Sequence, residues 1–185
     1  MPFSVENFTA QIAKVGLASP NKFDVDVTPP ASLNFGVDAM KGFNLMCESA
    51  SIGGRTVQSM LDIQYGIRRE LAYGAPQYTP LTLAFLCSEK MTEKLKLDAW
   101  SNLIVNSTGN SASNTTAPFN VGYYDDYKGS VKVTKLDKSG EKVLTIEYLD
   151  AWPKTISQVD LNHSTKDSTL RVTCEFSYTY WKLVN

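Results

Sequence analysis

Apolar and polar residues alternate along most of the chain, which is typical of strands with one buried face in an antiparallel sheet. The clearest case is 170–180, where apolar or aromatic residues occupy every even-numbered position. Shorter runs with the same period predict further strands at 23–27, 43–47, 61–73 and 81–87. A strand pair is predicted at 130–136 and 142–149, because the loop between them contains Gly140, which tolerates a positive φ.

Two segments follow a helical period instead. Residues 1–19 predict an N-terminal helical segment, in which Phe8, Ile12 and Val15 share one face, Ser4 is a candidate cap and Gly16 a stop. Residues 89–105 are good helix formers that follow Ser88, a second candidate N-cap. The apolar stripe of this second helix is expected to press against a sheet and consists of Met91, Leu95, Trp100, Leu103 and Ile104.

These elements predict a mainly β fold with one packed α-helix, an antiparallel β-sandwich or barrel. The chain of 185 residues suits one domain, and no internal repeat or interdomain linker interrupts 1–185. The segment 28–41 resembles an insertion between strands, and the Ser, Thr and Asn residues of 106–116 predict a polar surface loop.

The balance of charge argues against a nucleic-acid-binding protein. Lys and Arg number 18 and Asp and Glu number 19, so the net charge is -1. The N-terminus lacks the basic start and long apolar core of a signal peptide. The longest apolar stretch, at 81–87, is too short to cross a bilayer, so we expect folding in the cytoplasm and no membrane insertion.

The sequence also lacks the constellations that carry catalysis or bind metals. His163 is the only histidine, and the polar residues around it predict an exposed turn. Cys47, Cys87 and Cys174 have no C-x-x-C spacing, which favours free buried thiols over a zinc site or a disulfide. We therefore expect no enzyme, no metal and no cofactor.

The segment 49–73 is open to two interpretations. It begins with the turn-rich stretch 49–54 and continues as a long alternating run with the cationic pair Arg68 and Arg69. One interpretation is a hairpin in the core. The other is an arm that leaves the domain and pairs with a neighbouring chain, since strand edges are natural templates for such pairing.

The order of features along the chain resembles the tail tube proteins of contractile-tailed bacteriophages, relatives of the inner tube proteins of contractile injection systems. The resemblance covers nearly the whole chain. It rests on the order and spacing of the following segments: Pro20-Asn21-Lys22-Phe23, 47–54, 78–85 with Trp100 behind it, 120–129, 149–156 and Tyr180-Trp181.

The resemblance implies a structural protein whose copies form hexameric rings, which stack into a hollow tube for the passage of DNA. Sheath, baseplate and tail-terminator proteins would be its partners, and DNA would pass without specific binding. It would reside in the virion tail tube after assembly in the host cytoplasm. The arm at 49–73 would reach an adjacent ring, and its expected interface residues are Ile52, Leu61, Ile63, Tyr65, Ile67, Arg68, Arg69, Leu71 and Tyr73.

The polar positions of the last strand, Thr173, Glu175, Ser177 and Thr179, are expected to face the lumen, although the same face could point outward to the sheath. Baseplate tube initiators and injection-system inner tubes share the implied fold and are alternatives to the major tail tube subunit. A ligand-binding β-barrel and an enzyme are the remaining hypotheses, of different functional classes.

Overall fold

The computed structural model describes residues 4–64, 66–106, 120–164 and 168–184, so most of the predicted loop at 106–116 lies outside the described residues. Within these ranges the helices are α1 (Val5–Val15), α2 (Val37–Leu45), α3 (Thr92–Ile104) and α4 (Tyr124–Tyr127). The strands are β1 (Phe23–Thr28), β2 (Cys47–Ser51), β3 (Arg55–Thr56), β4 (Ser59–Gln64), β5 (Ile67–Ala72), β6 (Gln77–Tyr78), β7 (Leu81–Leu86), β8 (Gly129–Leu136), β9 (Lys142–Ile156), β10 (Arg171–Ser177) and β11 (Tyr180–Val184).

Seven strands form one antiparallel sheet in the order β1-β8-β9-β10-β7-β2, with β11 paired to β9. The 15-residue strand β9 belongs to two halves of this sheet. Its first part pairs with β8 and β11, and its last part pairs with β10. The predicted class, mainly antiparallel β with packed helix, is confirmed, and the sheet stays open rather than closing into a barrel.

The passage of β9 from one half to the other occurs at Asp150. Leu149 lies opposite Ser130 and Ala151 lies opposite Gly129, so Asp150 is an extra residue in the strand. Its φ of 54° is unusual for a residue other than glycine. A bulge of this kind bends a strand and increases its twist, which lets one strand serve both halves of the sheet.

Both halves of the sheet bury their side chains in one hydrophobic core. The even-numbered residues Val172, Cys174 and Phe176 of β10 are buried, as the alternation predicts, while their odd-numbered neighbours are half-buried or exposed. Helix α3 covers this core, and Trp100 donates its indole N–H to the carbonyl oxygen of Tyr127 at 2.8 Å. The helix therefore closes one side of the core.

The buried face of α3 differs from the predicted stripe. Trp100 and Ile104 are buried, but Leu95 is exposed and Leu97 is buried in its place. The spacing 97, 100 and 104 is the true helical stripe, since residues three and seven positions apart share a face. The predicted stripe included Leu95 and omitted Leu97, so it lay partly on the exposed face of the helix.

The segment before α3 forms a reciprocal cap. Ser88 Oγ accepts the N–H of Thr92 at 3.3 Å, and Glu93 Oε2 accepts the N–H of Ser88 at 2.8 Å. Ser88 thus bonds the first turn, as predicted, although the helix itself begins only at Thr92. Burial opposes the ionisation of Glu93, but the hydrogen bonds from Ser88 and Thr92 prevail and hold the pKa of its carboxyl below the usual value.

The strand predicted at 43–47 is wrong, because residues 37–45 form helix α2. Three alternating residues are too few to distinguish a strand from a helix. Phe43 is buried and stacks on Phe85 of β7 with ring centroids 4.4 Å apart, whereas Leu45 is exposed. Asn44, one residue beyond Phe43, bonds the edge of β1: its Oδ1 accepts the N–H of Val27 at 3.1 Å.

The long last strand predicted over 170–180 is two strands. β10 ends at Ser177 in one half of the sheet, and β11 begins at Tyr180 in the other half. Between them, the N–H of Thr179 donates to the carbonyl oxygen of Leu149 at 3.1 Å, which guides the chain across. The predicted alternation does not continue through this crossing, because Trp181, opposite the buried Tyr148, packs against the core, whereas Tyr180 is exposed.

Helix α1 ends at Gly16, whose φ of 76° suits glycine. The side chain of Ser4 makes no capping hydrogen bond, in contrast to the prediction. None of the α1 side chains is buried, so the apolar face that includes Val5 and Val15 is exposed in the single chain.

Gly129 offers a test of the packing between β8 and α3. A Cβ at this position would collide with the carbonyl oxygen of Thr28 and lie 2.8 Å from two ring atoms of Trp100. Gly129→Ala should therefore lower the free energy of unfolding by about 1–3 kcal/mol in urea titrations. Gly42→Ala is the matched control, since nothing lies within 4 Å of a Cβ there and alanine favours a helix. Equal stability of the two variants would contradict this packing.

Candidate assembly surfaces

Residues 59–72 form a hairpin, called the arm here, that is separate from the main sheet. In the described part of the chain, β4 and β5 pair with each other and with no other strand. All six residues of β5 are exposed. A two-stranded hairpin on its own is only marginally stable in water, which makes the arm a candidate for contact with a second surface.

The two strands of the arm carry apolar residues on both faces. Each odd-numbered residue of β4 lies opposite an even-numbered residue of β5, for example Ile63 opposite Arg68. Leu61 and Ile63 therefore share one face with Arg68, while Ile67 and Leu71 lie on the other. The single shared face predicted over 61–73 is wrong because the turn reverses the parity. Tyr65 lies outside the described residues.

The side chains of the predicted interface residues that the structure describes are all exposed, while the backbone groups of the arm are paired with each other. Ile67 is 76% exposed and Ile63 is 59% exposed. Ile52 precedes the arm and Tyr73 follows it, and both are exposed. None of the described arm residues belongs to the hydrophobic core, so the interpretation as a core hairpin does not hold. The interface role itself stays a prediction.

The two arginines of the arm have different surroundings. Arg69 Nε lies 3.2 Å from Asp62 Oδ2 directly across the hairpin, and Glu70 bonds the hydroxyl of Ser59. Arg68 points to the opposite face and forms no ion pair with the residues that the structure describes. The charge of Arg68 is therefore available to another molecule.

A short stalk, formed by β3 and β6, connects the arm to the core. Next to it, the N–H of Gly54 donates to Thr79 Oγ1 at 2.6 Å, and the N–H of Thr79 donates back to Gly54 O at 3.1 Å. The guanidinium of Arg55 lies 5.9 Å from the ring centre of Trp181 on β11, within the range of a cation–π contact. These contacts fix the direction in which the arm leaves the domain.

Three tyrosines anchor the stalk to the core. The Tyr178 ring centre lies 4.8 Å from that of Tyr148 and 5.7 Å from that of Tyr78. Tyr178 donates its hydroxyl to Thr79 O at 2.8 Å, and the N–H of Gly53 donates to Tyr148 Oη at 3.3 Å. A Cβ at Gly53 would collide with the Tyr178 hydroxyl and lie 2.8 Å from Thr79 O, so the close approach requires glycine.

The face of β10 that points away from the core is polar, and we call it the polar face. Thr173, Glu175 and Ser177 lie on it and are half-buried. Their neighbours across β2, β7 and β9 include Ser49, Ser51, Thr82 and Thr155. Thr179 lies beyond the end of β10, with its Oγ1 2.9 Å from Tyr124 Oη, and is not part of this face. Lining of the lumen stays a prediction.

A groove of about 760 Å³ lies between β1 and α2. Asp24 and Asp26 of β1 line it on one side, and Leu33, Phe35 and Met40 line it on the other. Sequence reasoning missed this groove because it assigned residues 43–47 to a strand. The sequence does carry a helical signal here. Phe43 and Asn44 follow Met40 at three and four residues, a spacing typical of a helix.

The described ranges hold no cluster of three metal-ligating side chains. His163 is exposed in a turn, and the three cysteines are free thiols, as predicted. Burial raises the pKa of Cys47 to about 12 and raises the pKa of Cys174 as well, which disfavours the reactive thiolates. No described helix combines the length and the apolar content needed to cross a bilayer.

Comparison with known proteins identifies the family. The model of the family described as phage tail tube protein matches residues 18–184. No curated protein matches the sequence significantly.

Solved structures share the fold at low sequence identity. One is a chain of the anti-feeding prophage baseplate, with a TM-score of 0.64, 15% identity and coverage of 92% of this chain and 97% of the other. A chain of the extracellular contractile injection system PVC, from its sheath–tube complex, has a TM-score of 0.56 and 18% identity over 95% and 98% of the two chains. A chain of the PVC sheath/tube terminator has a TM-score of 0.57 and 16% identity over 92% and 99%.

The tyrosine anchor of the stalk, formed by Tyr78, Tyr148 and Tyr178, predicts that the stability of the protein depends on pH. Burial, together with the hydroxyls of Tyr148 and Tyr78, raises the pKa of Tyr178 to about 12. An unfolded tyrosine ionises at about pH 10, so the contribution of a neutral Tyr178 to folding stability is complete below that pH and is lost as the pH rises towards 12. Tyr178→Phe should therefore reduce the loss of stability between these pH values in urea titrations.

Tyr123→Phe is the control, because Tyr123 is exposed. An equal loss of stability in the Tyr178→Phe variant and the wild type over that pH range would contradict the role assigned to the anchor.

Proposed function

Because the chain belongs to the phage tail tube protein family, we propose that its copies assemble into hexameric rings that stack into a hollow tube. The chain is a structural tail tube protein, and its task is to form contacts and walls rather than to catalyse a reaction. The observation that best supports self-assembly is the exposed arm, which carries apolar residues on both faces outside the core.

The arm supplies the contact between adjacent rings. Its residues Leu61, Ile63, Ile67 and Leu71 lose their exposed apolar surface when a neighbouring copy covers them. Ile52 and Tyr73 extend the same surface, Arg68 and Arg69 contribute charge to it, and Tyr65 stays a predicted interface residue. The stalk and its tyrosine anchor hold the arm in one direction, which lowers the conformational entropy lost on assembly.

Contacts within a ring use the edges of the main sheet. β2 and β11 are edge strands of its two halves, and an edge strand presents unpaired backbone groups to another chain. Pairing between copies satisfies these groups, and a closed ring leaves none of them open. Asn44 already occupies part of the β1 edge, which makes β1 a poorer candidate.

The polar face lines the lumen in this proposal. Thr173, Ser177 and the neighbouring serines and threonines carry no charge, and Glu175 is acidic. Binding of DNA strengthens with each phosphate that a Lys or Arg neutralises, so such a wall lets DNA pass without holding it. Thr179 is left out of the lining because it lies beyond the strand.

The proposed partners are a contractile sheath, a baseplate and a tail terminator, and the proposed location is the virion tail tube after assembly in the host cytoplasm. Likeness in fold to chains of a baseplate, a sheath–tube complex and a sheath/tube terminator supports these partners. A baseplate tube initiator is a second candidate, favoured by the likeness to the baseplate chain. Electron microscopy of the purified protein distinguishes the two, since an initiator would form single rings and not long rods.

The arm hypothesis predicts that Ile67→Asp blocks tube formation without unfolding the protein. A carboxylate at this position, which is 76% exposed, costs little in the single chain but would be buried in the assembly. Leu161→Asp is the matched control, since Leu161 is 77% exposed and lies outside the arm. Negative-stain microscopy and circular dichroism measure assembly and folding. Normal tubes from Ile67→Asp would rule out the arm as the ring contact.

The conduit hypothesis predicts weak binding of DNA. Lys128 and Lys132 lie 2.6 Å and 3.3 Å from the carboxylates of Asp125 and Glu147, which reduces their attraction for phosphate. Filter binding at ~0.15 M salt, where the screening length is about 8 Å, should retain little double-stranded DNA. The double variant Thr173→Lys, Glu175→Lys should increase the retention. Tight, salt-sensitive binding by the wild type would favour a DNA-binding role instead.

A further inference from the structure

The two apolar faces of the arm restrict the kind of surface that can receive it. A flat surface would cover either Leu61 and Ile63 or Ile67 and Leu71, and would leave the other pair in water. Only a groove with two walls covers both faces of the hairpin tip. The receiving surface must also accept the cation of Arg68, which has no ion-pair partner among the described residues.

The groove between β1 and α2 has two walls of different chemistry. The β1 wall is acidic, because Asp24 and Asp26 line it and both are exposed. The opposite wall carries the apolar residues Leu33, Phe35 and Met40, together with the cation of Lys41 on α2. None of the residues that line the groove belongs to the arm, so the arm of the same chain does not fill it.

We propose that the groove of one copy receives the arm tip of another copy, an inference that rests on the proposed tube function and identifies the receptor of the arm. The face with Ile63 and Arg68 turns to β1, where the guanidinium meets Asp24 or Asp26. The face with Ile67 turns to the apolar wall. Each face of the tip thus finds the wall that matches its charge and hydrophobicity.

Asn44 determines how the arm binds in this groove. Its amide bonds both Val27 N–H, at 3.1 Å, and Asp26 Oδ1, at 2.9 Å. The β1 edge is therefore blocked at Val27, and the arm cannot simply add along it as a further strand. It enters through its side chains, and the acidic wall determines its orientation. The same amide leaves Asp24 as the carboxylate that is not bonded to Asn44.

A charge exchange tests the contact between Arg68 and β1. Arg68→Asp and Asp24→Arg should each raise the critical concentration for tube assembly about tenfold or more, since each places like charges together. The double variant should restore assembly towards the wild-type value. Asp38→Arg combined with Arg68→Asp is the control, because Asp38 is exposed on α2 and does not line the groove. Sedimentation of assembled tubes gives the critical concentrations.

Zero-length crosslinking locates the contact directly. In tubes made from mixed isotope-labelled and unlabelled Arg68→Lys protein, carbodiimide should join position 68 of one chain to Asp24 or Asp26 of another. Peptide mass spectrometry identifies the link and its inter-chain origin.

The outcomes separate this inference from the tube function. In one outcome, Ile67→Asp blocks assembly while the double variant Arg68→Asp, Asp24→Arg fails to assemble better than its single variants and the crosslinks fall outside the groove. In that case the arm role stands and the groove is not its receptor. If the crosslink lies within one chain, the arm folds back on its own groove and the inference is wrong. If Ile67→Asp forms normal tubes, the arm hypothesis itself fails.

Discussion

The close contact between Gly53 and the tyrosines packed on the core is the constraint on which the direction of the arm, and with it the proposed contact between rings, depends. Tyr148 lies on the core side of β9 and Tyr178 packs against the core between β10 and β11, yet their hydroxyls bond the backbone at the start and end of the stalk. These hydrogen bonds therefore hold the stalk in a fixed position relative to the sheet. Without this connection the arm would be a tethered hairpin with many orientations, and its apolar faces would not point consistently at a neighbour.

The second organising feature is the bend of β9 at Asp150, which divides the open sheet into two halves around one core. It places β11 at an edge of one half and β2 at an edge of the other. The same bend brings Lys128 Nζ within 3.6 Å of the Asp150 carboxylate, which pairs the charge at the bulge. A single irregular residue thus sets both the shape of the core and the positions of the sheet edges.

Alternation in the sequence predicted the fold class well where one face of a strand is fully buried, as at Val172, Cys174 and Phe176. It failed where burial does not enforce a period. Phe43 and Leu45 alternate as in a strand, but both belong to helix α2, and only Phe43 is buried in the core. In the arm, parity could not reveal the reversal at the turn, because exposed residues on both faces satisfy either register. Helix α2 could have been predicted from the spacing of Met40, Phe43 and Asn44, but the groove itself depends on how α2 packs against β1.

The separation of the arm from the core has an evolutionary consequence. No described arm side chain helps to hold the core, so replacements there leave folding nearly unchanged. In the proposed assembly, selection on that hairpin acts through recognition, and two lineages in one cell can drift apart in arm and groove until their subunits no longer mix. A pair of compensating charges is enough to begin such a divergence, while the framework that carries it remains the same.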